Sequence, residues 1–287
     1  MDTLQVAILP DGRRLHLQHG PIDLVIEAYG EREEVCAAYR QAGDRFQTVL
    51  SELVEELPVL RKPVAGDGSR SAATGPTAVR MLDAVRPHRS VFVTPMAAVA
   101  GSVADEVMAA LVAGRELQKA YVNNSGDIAI HLTTGETLRL GIVGELFRST
   151  IDGTAEITYI QPVRGVATSG WQGNSWSFGI ADAVTVLADT AAAADVAATL
   201  IANAVDADSP AIERTPASSI DDYTDLGDAL VTTAVGYLDT SIIKAALNAG
   251  NAAASWMLEK GLIRGAALML KGEIRSVGKI GTALPHS

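Results

Sequence analysis

The spacing of apolar and polar positions predicts a mixture of strands and helices. Residues 3–9 form a short apolar run that meets the turn signal Pro10-Asp11-Gly12. RRLHLQ (13–18) then alternates polar and apolar side chains, so both stretches read as strands. GPIDLVIEAYG (20–30) continues that sheet. From Glu31 to about Leu57 the period lengthens: Val35, Tyr39, Phe46, Val49, Leu50 and Leu53 fall near one helical face, and Pro58 and Pro63 should end the helix. PVAGDGSRSAATGPT (63–77) reads as a loop and TAVRMLDAVRPH as a short helix. SVFVTP reads as a strand end leading into the helix MAAVAGSVADEVMAALVAG.

The clearest strand pattern lies at 120–143. Tyr121–Asn123, Asp127–Leu132 and Thr137–Val143 are joined by turn signals, and ITYIQPV (157–163) continues them. GVATSGWQGNSWSFG (165–179) reads as a Gly/Ser loop, ADAVTVLA as a strand and 191–205 as a helix. The acidic, turn-rich stretch 206–227 reads as a linker. ALVTTAVGYL reads as a strand, TSIIKAALNAGNAAASWMLEKG as a helix and AALMLKGEIRSVG as a closing hairpin. Strands and helices mix without strict βαβ alternation, which predicts an α+β fold. The expected form is mixed and antiparallel sheets packed with Ala-rich helices, as a single domain over 1–287. The best candidate sub-boundary is 206–227.

Charge narrows the function. The net charge is −11 and no basic cluster is present, which argues against a nucleic-acid partner. The start lacks a basic region followed by an apolar run. No uninterrupted apolar window approaches the roughly 18–20 residues of a membrane span. A cytoplasmic protein with no membrane partner is expected. The single cysteine, Cys36, sits in a helical pattern and reads as a small buried residue. The Ala-rich helices suit either a core or the interface of a homodimer.

The helix AAAADVAATLIANAV (191–205) carries Asp195, Thr199 and Asn203 every four residues, a polar stripe on an apolar element. A carboxylate there needs a partner, which is a metal ion, another cation, a pair of backbone N–H groups or water. Asp195 and Thr199, one turn apart, offer hard oxygens suited to Mg²⁺ or Ca²⁺. The plainer alternative has Asp195 satisfying the amides of a neighbouring loop.

The Gly/Ser loop has a chemistry suited to close ligand contact. Gly170 lets the backbone approach, Thr168 and Ser169 supply hydroxyls, and Trp171 and Trp176 offer planar rings for stacking. The same tryptophans would equally plug a hole beneath a long loop. At NNSGDI (123–128), Ser125 and Gly126 form a tight turn whose amides suit an anion, or a plain β-turn.

Four blocks in order, VTPMAAVAGSVADEV, YVNNSGDIAI, GVATSG and ADAVTVLADTAAAADVAATLIANAV, resemble the ApbE superfamily, whose characterised members are FAD:protein FMN transferases. The ending GLIRGAALMLKGEIRSVG brings the whole chain closer to an uncharacterised ApbE-like subfamily. The resemblance implies that Asp195 and Thr199, on the pattern A-D-x-x-x-T, hold Mg²⁺ beside an FAD pyrophosphate. It also implies that Thr168, Ser169 and Gly170, and the turn Ser125, Gly126 and Asp127, contact the ligand. Gly101 and Asp105 match the family's small-residue helix start.

The chain departs from that pattern in two places. Ala100 stands where the transferases carry a lysine, and their His and Asp-Pro-x-Thr-Gly segment is missing; Asp182 is the candidate to replace its acidic, catalytic function. Three functions follow. The first is a divalent-metal-dependent enzyme binding FAD or a related nucleotide-like ligand, for FMN or phosphoryl-type transfer or pyrophosphate cleavage. The second is a metal-free enzyme acting on a small cyclic or acidic metabolite. The third is a non-catalytic ligand carrier or scaffold.

Overall fold

The computed structural model describes residues 4–64, 73–142, 153–173, 175–279 and 282–283. In chain order its elements are β1 (Gln5–Ile8), β2 (Leu15–His19), β3 (Ile22–Gly30), α1 (Arg32–Leu60), α2 (Pro76–Val85), α3 (Val99–Val112), β4 (Leu117–Asn124), β5 (Asp127–Leu132), β6 (Thr137–Ile142), β7 (Gly153–Thr158), β8 (Gly165–Ser169), β9 (Ala183–Ala188), α4 (Ala191–Ala204), β10 (Ile212–Pro216), β11 (Leu230–Val235), α5 (Thr240–Glu259), β12 (Gly265–Leu270), β13 (Glu273–Gly278) and β14 (Thr282–Ala283). The fold is α+β. The chain divides into two compact units. One comprises Met1–Leu138, Ile157–Ala167 and Ala188–Val196; the other comprises Arg139–Glu156, Thr168–Leu187 and Ala197–Ser287.

In the first unit β1 to β5 form a meander, each strand antiparallel to the next. The register sets Leu17 opposite Leu24 and Ile26 opposite Val122. Directly opposed residues share a face. That face is buried together with Phe46 and Val49 of α1 and Val107 and Leu111 of α3. At about 1.5–3 kcal/mol for each fully buried large apolar side chain, this seam is the main force holding the unit together.

In the second unit β9, β12 and β13 pair antiparallel, with Val184 opposite Leu268 and Ala267 opposite Ser276. β10 pairs antiparallel with β11. α5 lies against β12 and β13 and buries Ala246, Leu247 and Ala254. Gly250 permits the close approach: a Cβ there would sit 2.3 Å from Val205 Cγ2 and 2.8 Å from Leu268 Cδ2.

Several sequence expectations change. Pro58 does not end α1. It falls in the last turn, and the helix closes after the buried Leu60, with the Arg61 amide donating to Leu57. A proline inside a helix removes one N–H donor and crowds the carbonyl four residues back, a cost that the packed final turn tolerates. Cys36 is exposed, because burial along α1 begins only at Ala38. SVFVTP is no strand; it leads into a 3₁₀ turn at Pro95–Ala98. Of ITYIQPV, only the residues to Thr158 are strand, since Thr158 and Gln161 close a turn through three hydrogen bonds.

Part of the Gly/Ser loop is the strand β8. Gly165 is required there by packing, because a Cβ would lie 2.0 Å from the Thr190 carbonyl oxygen. The stretch 206–227 lies within the second unit and contains β10, whose Ile212 pairs with Val235. Residues 65–72 of the expected loop 63–77, and Val143, lie outside the described residues. By length and composition Pro95–Val112 is apolar enough to cross a membrane. Val103, Ala104, Val107 and Leu111 in that stretch are core residues, and packing accounts for their apolarity.

Candidate functional site

The first unit's polar site is built at the opening of α3. Ala100, Gly101 and Ser102 occupy its first turn, and their size allows another backbone to come close. A Cβ at Gly101 would lie 2.3 Å from the Ala191 carbonyl oxygen. Asp195 of α4 uses this proximity: its Oδ2 accepts the Gly101 amide at 2.9 Å. Asp105 of α3 does the reverse. Its Oδ1 accepts the Ala191 amide at 3.0 Å and its Oδ2 the Ala192 amide at 2.9 Å. Each helix thus supplies a carboxylate to the other's N-terminal end, where free N–H groups and the helix dipole favour negative charge.

Burial pushes both carboxyls above their ordinary value. For Asp195 the loss of water dominates. The Gly101 and Ala100 amides oppose the shift, and the nearby Asp105 charge adds to it. For Asp105 burial again dominates, opposed by the Ala192 and Ala191 amides and by Arg80. The main-chain donors do not fully compensate two carboxylates in one small volume.

The expected Ser125, Gly126 and Asp127 turn is brought to the same helix opening. Asn124, at the end of β4, donates its Nδ2 to the Ala100 carbonyl at 3.0 Å. Ser125 (φ 53°) and Gly126 (φ 109°) then reverse the chain in left-handed conformations, which Gly adopts freely. The Gly126 amide, expected to face an anion, donates to Asn123 Oδ1 at 2.8 Å.

The other expected residues belong to the second unit. The Thr168 hydroxyl meets that of Thr185 at 2.9 Å. Ser169 follows it in β8, and Gly170 sits where a Cβ would be 2.3 Å from the Asp182 carbonyl oxygen. Trp171 Nε1 donates to Asp182 Oδ1 at 3.3 Å, while Asp182 Oδ2 accepts the Lys271 amide at 2.5 Å. Asp182 therefore braces the tryptophan loop against the β12–β13 turn. Trp176 is 38% exposed.

Asn203, last of the polar stripe, accepts the Ser177 hydroxyl at 3.0 Å and the Phe178 amide at 2.9 Å. Thr199 lies partly buried in the part of α4 that belongs to this unit. The stripe thus serves different partners, although its even spacing suggests one.

Asp195 and Thr199 are hard-oxygen donors of the kind that Mg²⁺ takes. Among the described residues no group of three or more His, Cys, Asp or Glu could hold a metal. A divalent cation at Asp195 would therefore draw most of its shell from water and from the ligand's own oxygens. Sequence reasoning missed Asn124, the cross-helix role of Asp105 and the placement of Lys271. Only Lys271 left a local signal, the pair Lys-Gly between two alternating runs.

A family model described as AbpE bacteria matches residues 6–276. Curated relatives include UPF0280 proteins of Methanothermobacter thermautotrophicus, 39% identical over 132 residues (45% of this chain, 48% of the relative), and of Methanopyrus kandleri, 39% identical over 144 residues (48% and 55%). The chain spans about half the length of the curated relatives it matches. Among solved structures, an ApbE protein from Thermotoga maritima is similar at a TM-score of 0.41 and 12% identity, with 96% of each chain covered. The apo flavinyl transferase ApbE of Pseudomonas stutzeri is similar at 0.44 and 11%, covering 96% of this chain and 94% of that one.

Proposed function

Since the chain belongs to the AbpE bacteria family, we propose that it is an ApbE-like enzyme that takes FAD or a related nucleotide-like ligand together with a divalent cation. The observation that carries this is Asp195. Its carboxylate is fixed by the Gly101 amide yet remains short of positive charge beside Asp105. A cation at that point relieves the deficit that main-chain N–H groups leave. Asp195, with Thr199 four residues later, is the proposed metal pair. Because the side chains alone offer so few ligands, the cation would bind with the pyrophosphate rather than ahead of it. Bound there, the metal would neutralise phosphate charge and stabilise the charge that develops as a phosphoester bond breaks. The Ser125–Asp127 turn, which lies in the same unit as Asp195, is the proposed ligand contact.

Calorimetric titration tests this. FAD with Mg²⁺ should bind, Mg²⁺ alone should not, and Asp195→Ala should lose the FAD heat. Absence of FAD binding in the presence of Mg²⁺ removes the proposal.

A second reading, a metal-free enzyme on a small cyclic or acidic metabolite, is favoured by one observation: Asp195 already has main-chain donors. Ligand binding unchanged by a chelator would select it over the first.

A further inference from the structure

We infer that the second unit carries a separate binding cleft for a small organic carboxylate with an apolar body, edged by the Lys271 ammonium. The cleft has a volume of about 490 Å³, within the range of small-molecule sites. Val235, Leu238 and Ile243 give it apolar walls, Tyr237 adds a ring, Thr240 adds a hydroxyl and Lys271 supplies the positive charge. Val235, Leu238 and Ile243 are buried, while Tyr237 is 85% exposed, so a large aromatic surface stands open beside shielded aliphatic walls. Such a ring suits the flat or branched body of a ligand better than it suits water. Thr240 opens α5, whose first turn adds the positive end of a 20-residue helix.

Lys271 stands at a turn position that a lysine seldom fills. The β12–β13 turn has positive φ at both central residues, 49° at Lys271 and 81° at Gly272. Such turns take Asn, Asp or Gly at the first position, and lysine there is unusual. Chain reversal alone does not call for it. Three contacts fix the turn and the side chain. The Lys271 amide donates to Asp182 Oδ2, Asp182 is held from its other oxygen by the Trp171 indole, and Lys271 Nζ donates to the Val235 carbonyl at 3.0 Å. That last bond uses one of three ammonium donors. The other two, on a pinned side chain at the edge of the cleft, suit the two oxygens of a carboxylate. Asp182 is on this view a positioning residue, acting on the ligand through the turn.

The inference uses residues of the second unit alone and needs no metal, so it stands or falls apart from the flavin proposal. The test is calorimetric or NMR titration of the full chain with benzoate, and with benzamide as a neutral probe of the same shape, in the presence of EDTA. Benzoate should bind saturably and benzamide at least tenfold more weakly. Lys271→Gln should weaken benzoate at least tenfold, and Lys271→Arg, which keeps the charge, should retain most of the binding. Circular dichroism of both variants controls for folding. No saturable benzoate binding, equal binding of benzamide, or full binding by a folded Lys271→Gln overturns the inference. Should Lys271→Gln not fold, the benzoate to benzamide ratio in the unaltered protein decides the matter.

Discussion

Asp195 and Gly101, 94 positions apart in the chain, meet through a 2.9 Å hydrogen bond from the Gly101 amide to Asp195 Oδ2. The bond ties α4 to the start of α3, and Asp105 returns it at the start of α4. Loss of such a cap costs about 0.5–2 kcal/mol. Asp105→Ala, which frees two amides at once, should fall at the upper end of that range in urea denaturation.

The pH dependence follows from the same carboxylate. Burial raises Asp195 above the ordinary carboxylate value, so the folded chain binds that proton more tightly than the unfolded chain does. The stability linked to it is fully present below the unfolded pKa of about 3.9 and is lost as pH rises through the folded value. Asp195→Asn has no such proton to lose. The melting temperature of the unaltered protein, measured relative to Asp195→Asn, should therefore fall between about pH 4 and about pH 8. A constant difference across that range would refute the linkage.

His88 gives the opposite slope. It is 3% exposed, and burial lowers its pKa to about 4. The neutral ring is favoured in the folded state, so its contribution is present above about pH 6.5 and is lost as pH falls through about 4. The full effect is about 3 kcal/mol on the scale of 1.36 kcal/mol per pKa unit. His88→Gln should flatten the acid limb of a stability-against-pH curve, read by chemical denaturation.

Gly101→Ala tests the close approach of α3 to residue 191. The added methyl would stand 2.3 Å from a backbone oxygen that no rotamer change can move. Overpacking of this kind costs about 1–3 kcal/mol or more. The same change at Gly114, where a Cβ would meet nothing within 4 Å, carries only the strain of its φ of 67° and separates crowding from backbone cost.

Asp182→Ala removes the acceptor shared by the Trp171 indole and the Lys271 amide. Acrylamide should quench the tryptophan fluorescence more strongly in this variant, because the loop that holds Trp171 loses its brace. Two donors left without a charged acceptor should lower stability by about 2 kcal/mol.

Much of the fold was legible in the sequence. The period of α1, the alternation at β4 and β5 and the turn at Ser125–Gly126 were all visible, because each is set by neighbours within a few residues. Order along the chain also brought the family into view through four separate blocks. Two of the misreadings share one cause. Gly165 and Ser169 look like loop residues, yet Gly165 is small because the Thr190 backbone passes beside it. Ile212 looks like part of a linker, yet it pairs with Val235. In both cases a distant segment overrode local composition.

The candidate site divides along the same line. Sequence alone determined that α4 would carry a carboxylate, a hydroxyl and an amide at one-turn intervals, since a helix repeats every 3.6 residues wherever it is placed. Only the tertiary structure decided what each side chain meets: Gly101 for Asp195, and Ser177 and Phe178 for Asn203. It likewise decided that Asp105 would return the cap and that Lys271 would edge a cleft. Periodicity is a property of the chain itself, whereas the partner of a buried polar group is chosen by whichever segment the core packs against it.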